Sequence, residues 1–423
     1  MPLDEPGTAL HVAVIGGGIV GLAIAWEASR RGHRVTLMDP APADGATHAA
    51  AGMLAPVSEL HYQEESLLNL TLPSSGAYEK FTADLEAASG METGYHRTRT
   101  LVAAIDAADR QTLQDLRCVQ VGLGLHVEEL TTRQARSVES LLGPQLTGAF
   151  LVPGDHQVDP RSMATALQTA LAQQPVMRMV KVSASALIHG DALDPAAVTG
   201  VLLETGEQID ADEVVLANGL GAADVLGVPA GLRLPLRSVH GDILRLRVPE
   251  HLRPLITSTV RGLVHGSPIY VVPRQDGTVV IGATQRENGS AELSAGGVYE
   301  LLRDAQALIP AVAELELIEA ICRTRPGTPD NAPLLGRCRH HDGSDVRGVV
   351  IATGFFRHGV LLAPIAALIC ADLINRNEPG IDIEQFRPDR FSRAMHSTGV
   401  PGHDGYLPQQ ISQDKTDVDK ADV

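Results

Sequence analysis

Three short uncharged runs punctuate the chain, Val12 to Ile15, Val214 to Ala217 and Val349 to Ala352, and each leads into glycine. Strands that are apolar on both faces belong inside a parallel sheet. The runs stand about two hundred and about one hundred and thirty residues apart. That spacing predicts one parallel sheet assembled from three chain segments, with a ligand crossing the carboxyl ends of its strands.

Between these runs the period changes. Asp242 to Val248 alternates, and Ile269 to Arg274 connects through Gln275-Asp276-Gly277 to Thr278 to Ala283, a hairpin with the Asp-Gly turn signal. A helix is expected from about Gly297 to Leu308, and residues 62–90 and 109–143 read as mostly helical, with Thr131 and Gln134 forming a capping box. Asp159-Pro160-Arg161-Ser162 leads into a capped helix from Met163. Residues 44–56 are small and lack a helical stripe, residues 1–10 read as a loose leader, and residues from about 396 read as a disordered tail.

A chain of 423 residues accommodates two domains, and its 20% charged and 44% hydrophobic residues are ordinary for a globular protein. A net charge of −17 without a basic stripe speaks against nucleic acid as a partner. The longest apolar stretch, Gly359 to Ala371, is too short to span a bilayer, so no membrane association is expected. Cys118, Cys322, Cys338 and Cys370 form no C-x-x-C pair, and no signal peptide is legible, which suits the cytoplasm. Cys338-Arg339-His340-His341 is a polar loop with no fourth ligand in view, so no metal is expected. His240, Asp242 and His265 read as strand residues rather than pocket residues.

After the first run, Gly16, Gly18 and Gly21 follow with the spacing G-x-G-x-x-G, ahead of a helix and a second strand, Arg34 to Met38, that ends in Asp39. The first glycine permits a tight turn, the second lets the backbone approach a pyrophosphate, and the third lets helix and strand pack closely. Amides at the helix start suit the phosphates, and Asp39 suits the ribose hydroxyls. The unit reads as an adenine-dinucleotide site, and its spacing alone does not choose between FAD and NAD.

Together with Ala49-Ala-Ala-Gly-Met-Leu-Ala-Pro56, Tyr270-Val-Val-Pro-Arg274, Gly282-Ala-Thr284, Arg325-Pro-Gly-Thr-Pro-Asp330, Pro333-Leu-Leu-Gly336 and Gly354-Phe-Phe-Arg357-His-Gly359-Val-Leu-Leu-Ala-Pro364, this order of motifs resembles the FAD-dependent amino-acid oxidase superfamily. Within it, the glycine oxidases of thiamine biosynthesis are most similar. The resemblance implies FAD and an α/β with α+β fold. A flavin domain of the glutathione-reductase type (residues 11–90, 148–235 and 325–395) stands beside a substrate domain on a larger antiparallel sheet (91–147 and 236–324). It implies oxidation of glycine, sarcosine or a small D-amino acid by oxygen to an imine, then glyoxylate, ammonia and hydrogen peroxide. Thiazole-synthesis enzymes are implied as partners, and a homo-oligomer is compatible with the sequence. A dehydrogenase with another electron acceptor, or a flavin-bound subunit without turnover, fits the same motifs.

By resemblance, Arg325 and Tyr270 bind the substrate carboxylate, Arg357 lies near substrate and flavin, and Gln285 shapes the side-chain pocket. Tyr270 taken alone reads as a core residue of its hairpin. The amino-acid carboxylate that the resemblance implies calls for an arginine fork, and Arg325, ahead of the rigid Pro326-Gly-Thr-Pro329 loop, is the candidate that matches the family. The flavin contacts implied are Gly16, Gly18, Ile19, Val20, Gly21, Asp39, Thr47, Ala50, Ala51, Gly52, Met53, Val182, Asn218, Gly219, Gly354, Phe356, Arg357, His358, Gly359 and Val360. The sequence departs from the family at Phe355, usually His, at His358, often Asn, and at Gln285, often apolar. Hydride transfer from the α-carbon needs alignment more than a protein base, so no general base is assigned.

Overall fold

The computed structural model describes residues 9–392 apart from 191–193, 230, 288 and 341. The expected leader (all but its last two residues), the tail from 396 and His341 lie outside the described residues.

The three apolar runs meet as expected. Strands Leu334–Gly336, Val349–Thr353, Glu213–Leu216, His11–Ile15, Arg34–Met38 and Met177–Val180 lie side by side in that order. All neighbours are parallel except the Leu334–Gly336 edge, which is antiparallel. Residues 12–15 are at most 2% exposed, as a strand covered on both faces requires. One face packs on the helices Ile19–Arg30, Leu68–Ser89, Pro160–Ala172 and Gly359–Ile374, where Trp26 meets Phe81 edge-on at 5.1 Å. The other face packs on an antiparallel sheet of Ala184–His189, Val198–Leu203 and Gln208–Asp210.

The larger sheet has eight strands, ordered Glu316–Gly327, Arg237–Arg247, Thr278–Gly282, Ser267–Pro273, Thr259–Val264, Thr100–Ala104, Gly148–Val152 and Glu128–Leu130. Its one parallel pair joins Thr259–Val264 to Thr100–Ala104. Helix Ala295–Leu308, capped by the Ser294 hydroxyl accepting from the Gly297 amide at 3.2 Å, covers one face.

Several expectations need correction. The stretch 109–143 is two helices, Ala107–Gly122 and Thr132–Val138, separated by a strand, because the Leu123–Gly124 turn ends the first and Glu128–Leu130 pairs with Gly148–Val152. The Thr131–Gln134 capping box forms as expected. Gly148–Val152, grouped with the flavin segments by sequence, belongs to the larger sheet through its pairing with Thr100–Ala104. In 62–90 the long helix begins only at Leu68. The run 44–56 contains a one-turn helix, Ala46–Ala49, and a short strand, Met53–Leu54, paired with His156–Gln157.

Candidate active site

At the carboxyl ends of His11–Ile15, Glu213–Leu216 and Val349–Thr353 the chain turns away and leaves a cavity of about 390 Å³ that continues onto one face of the larger sheet. The fingerprint glycines build its wall by close packing. Gly16 adopts φ +104°, and a Cβ there would stand 2.5 Å from the Asn218 Cα. A Cβ on Gly21 would collide with the Gly16 carbonyl. Gly18, by contrast, has only the Thr47 hydroxyl within reach, at 3.6 Å. Two glycines therefore serve packing, and the third opens the wall.

Helix Ile19–Arg30 starts at this opening with no side-chain cap of its own and no acidic residue in its first turn. The Thr47 hydroxyl accepts from the Ile19 amide at 3.0 Å. Helix Gly359–Ile374 starts in the same way, and its Gly359 and Val360 line the same cavity. Two positive helix ends thus face one cavity, a fit for a ligand carrying phosphates at one end and a ring that gains negative charge at the other. The Asp39 carboxylate accepts from the amides of Gly17 at 2.6 Å and Ala41 at 2.8 Å, and it lines the cavity between them. Asn218 also lines the cavity and its Oδ1 is buried without a hydrogen-bond partner among the described residues, an acceptor left for a ligand. These features fit an adenine dinucleotide.

Arg274 fastens the small-residue wall. Its guanidinium donates to the Ala51 carbonyl, and to Gln157 Oε1 and the Val158 carbonyl at 3.0 Å each. Burial lowers its pKa to about 10, still charged at neutral pH. Gly52 has φ +70°, and a side chain there would strike Val158 and Pro160.

On the sheet face of the cavity, Arg325 and Tyr270 come together. Arg325 lies within strand Glu316–Gly327 of the larger sheet, although the sequence reading opened a flavin segment at 325, and Tyr270 lies three strands away on Ser267–Pro273. The two intervening strands carry Gly241 and Gly282. The Arg325 guanidinium lies over Gly241 and the Tyr270 ring over Gly282, so each occupies the space that a side chain would fill. The Tyr270 hydroxyl is pushed up to about 12, chiefly by desolvation and against the nearby Arg325 charge, and it remains a neutral donor. A fork and a phenol converging on an apolar floor suit a carboxylate.

Of the expected residues, Gly18, Ile19, Val20, Asp39, Thr47, Ala50, Ala51, Gly52, Met53, Asn218, Gly219, Tyr270, Gln285, Arg325, Gly354, Phe356, Arg357, Gly359 and Val360 line this one cavity. Gly16 and Gly21 stand behind its wall. Val182 packs against the core on the opposite face of the parallel sheet, and His358 is 3% exposed, with neither ring nitrogen partnered among the described residues. Burial, then the Arg357 charge, holds the His358 pKa well below its ordinary value, so the ring stays neutral. Arg357 is not a free cation: it forms an ion pair with Glu64, whose other oxygen accepts from Asn331 at 2.7 Å.

Sequence reasoning missed Glu59, His61, Arg261 and Arg323, all of which line the cavity. Arg261 could have been suspected as a charge within the otherwise apolar run Val260 to Val264; Glu59 and His61 sit in a loop with no motif. Among the described residues, no group of three or more His, Cys, Asp and Glu is placed to hold a metal, and no helix is long and apolar enough to cross a membrane.

Comparison with known proteins agrees with this geometry. The chain is 32% identical to glycine oxidase of Geobacillus kaustophilus over 92% of its own length and 98% of the relative's. The crystal structure of glycine oxidase from that organism superposes with a TM-score of 0.81 at 31% identity, covering 90% of this chain and 99% of the other. The bifunctional protein ThiO/ThiG of Trichormus variabilis is 31% identical over 93% of this chain, which spans only 57% of that relative. The model of the DAO family, FAD dependent oxidoreductase, matches residues 11–373, and the chain belongs to that family.

Proposed function

We propose that the protein oxidises the Cα–N bond of glycine or a comparably small amino acid, such as sarcosine or D-alanine. The balance is amino acid, oxygen and water giving 2-oxo acid, ammonia or amine, and hydrogen peroxide. FAD, when bound, would supply the acceptor for the electron pair and α-hydrogen and the route by which they, with the proton lost from the amine, reach oxygen. Every other requirement falls to the chain. Arg325 and Tyr270 hold the carboxylate, which fixes the α-carbon relative to the cofactor wall. Gly241 and Gly282 let the Arg325 guanidinium and the Tyr270 ring lie close against the sheet, which leaves the space above them for a small substrate. Helix Ile19–Arg30 and Asp39 hold the pyrophosphate and ribose, and the start of Gly359–Ile374 favours electron uptake at the far end. In this division the parallel-sheet segments carry the flavin and the eight-stranded sheet carries the substrate. The imine supplies thiazole formation, a role favoured by the relatives that join ThiO to ThiG in one chain.

The observation that carries the reading is the meeting of Arg325 and Tyr270 in the cavity formed by the fingerprint wall. A steady-state screen of glycine, sarcosine and D-alanine with peroxide detection tests it. Turnover of at least one with stoichiometric peroxide is expected. Failure of all three to bleach the flavin anaerobically overturns the reading.

A further inference from the structure

Four arginines line the cavity, and three already have a carboxylate. Arg357 pairs with Glu64, Arg323 pairs with Asp44 at 3.2 Å, and Arg261 pairs with Glu59 at 2.9 Å. Arg325 has no ion-pair partner among the described residues. The cavity therefore offers one uncompensated positive charge, enough for one carboxylate.

The Arg261–Glu59 pair has a particular position. Arg261 is the cross-strand partner of Tyr270, and Arg325 reaches over Gly241 toward the same ring, so both guanidinium groups stand near Tyr270 in one cavity. A substrate held by Arg325 and Tyr270 has Arg261 as a neighbour in the same cavity. Both members of the pair are largely buried, with side chains 15% and 9% exposed. Arg261 Nη1, although close to Glu59, makes no aligned hydrogen bond with any described residue. It is held by charge rather than by a directed bond, and a better-placed anion could claim it once Glu59 is neutralised. Glu59 comes from a different element, the loop after Met53–Leu54, and serves as a built-in counter-anion.

We infer that Glu59 is a specificity-determining residue: by neutralising Arg261 it closes the cavity to ligands that carry a second anionic group, and it confines substrates to monocarboxylates with a neutral substituent. This deepens the proposed amino-acid oxidation and rests on that reading for the word substrate, although the charge discrimination itself is a binding property.

Binding of acetate and malonate to the flavin-loaded protein, followed by perturbation of the flavin's visible absorption, reads that discrimination without turnover. The wild-type protein is expected to favour acetate. Glu59→Gln should raise the malonate-to-acetate affinity ratio by about tenfold or more, because it exposes a desolvated cation to the second carboxylate. Arg261→Gln should lower the ratio below the wild-type value, because it leaves Glu59 alone to repel the same group. That variant serves where Glu59→Gln does not retain flavin. Ratios are taken within one protein, so a general loss of binding cancels. An unchanged ratio in the variants, or a wild type that prefers malonate, overturns the inference. Turnover of glycine, sarcosine and D-alanine, measured separately, reports on the oxidase reading: all three inert with the malonate shift intact refutes the reaction and leaves the charge filter standing.

Discussion

Gly282 lies directly across the sheet from Tyr270, and the phenol ring covers it so closely that a single methyl group at 282 would collide with the hydroxyl end of the ring. Gly241, whose own cross-strand partner is Arg323, is covered as closely by the guanidinium of Arg325. Gly282→Ala or Gly241→Ala is expected to displace the side chain above it, to which carboxylate binding is proposed. Overpacking of this kind costs about 1–3 kcal/mol, so kcat/KM for the preferred amino acid should fall roughly tenfold to a hundredfold, mostly through KM, with flavin retained. Steady-state kinetics beside the flavin-to-protein absorbance ratio checks this, and unchanged kinetics in both variants would separate the two glycines from substrate binding.

Removing the fork itself is more severe. For Arg325→Ala, loss of one partner of a buried charge pair costs roughly 2–5 kcal/mol, and the apparent KM should rise by a factor on the order of a hundred or more. Arg325→Lys should recover only part of the loss, because a point charge does not reproduce the bidentate geometry. A lysine variant with wild-type KM would count against bidentate recognition.

Gly21 tests the other wall. Its Cα faces the Gly16 carbonyl with no room for a methyl group, so Gly21→Ala should force the first helix away from the strand. The expected product is a folded but largely colourless protein whose amino-acid oxidation returns, if at all, only with excess FAD. Absorbance after gel filtration decides the matter.

Asp155 gives a pH signature. Its carboxylate is fully buried and accepts from the amides of Val57 and Ser58 at 3.4 and 3.2 Å, beneath the loop that brings Glu59 to the cavity. Desolvation outweighs these bonds and raises its pKa from 3.8 to about 6. The folded state therefore holds a proton that the unfolded chain releases sooner, so this contribution is fully present below about pH 4 and is lost as pH rises through about 6. At 1.36 kcal/mol per pKa unit, the loss is about 3 kcal/mol. Thermal unfolding of the wild type and of Asp155→Asn, compared between pH 4 and 7, should show the wild type losing stability relative to the variant as pH rises. A pH-independent difference would mean that the carboxyl group is ionised throughout.

What the sequence made legible follows from where each residue's constraint lies. The three buried strands could be read because burial on both faces leaves only apolar residues, and the wall at Gly16 to Gly21 because close approach tolerates only glycine. The strand Glu128–Leu130 was hidden: three edge residues carry no usable period, and helical neighbours on both sides absorbed them. Gly148–Val152 was misassigned because an apolar run does not announce which sheet it joins. At the site, Arg325 and Tyr270 stood in motifs, whereas Glu59 and Arg261 acquire meaning only from each other, across two hundred residues of chain that folding brings to 2.9 Å. Pairings of that kind have no local spacing to read.

The three hydrogen bonds from Arg274 have a mechanical consequence. That residue grows from the end of a strand in the eight-stranded sheet, yet it grips the Ala51 and Val158 carbonyls of the opposite wall. A rigid planar group anchored at three points acts as a rivet: parting the sheet from that wall requires all three bonds to break together.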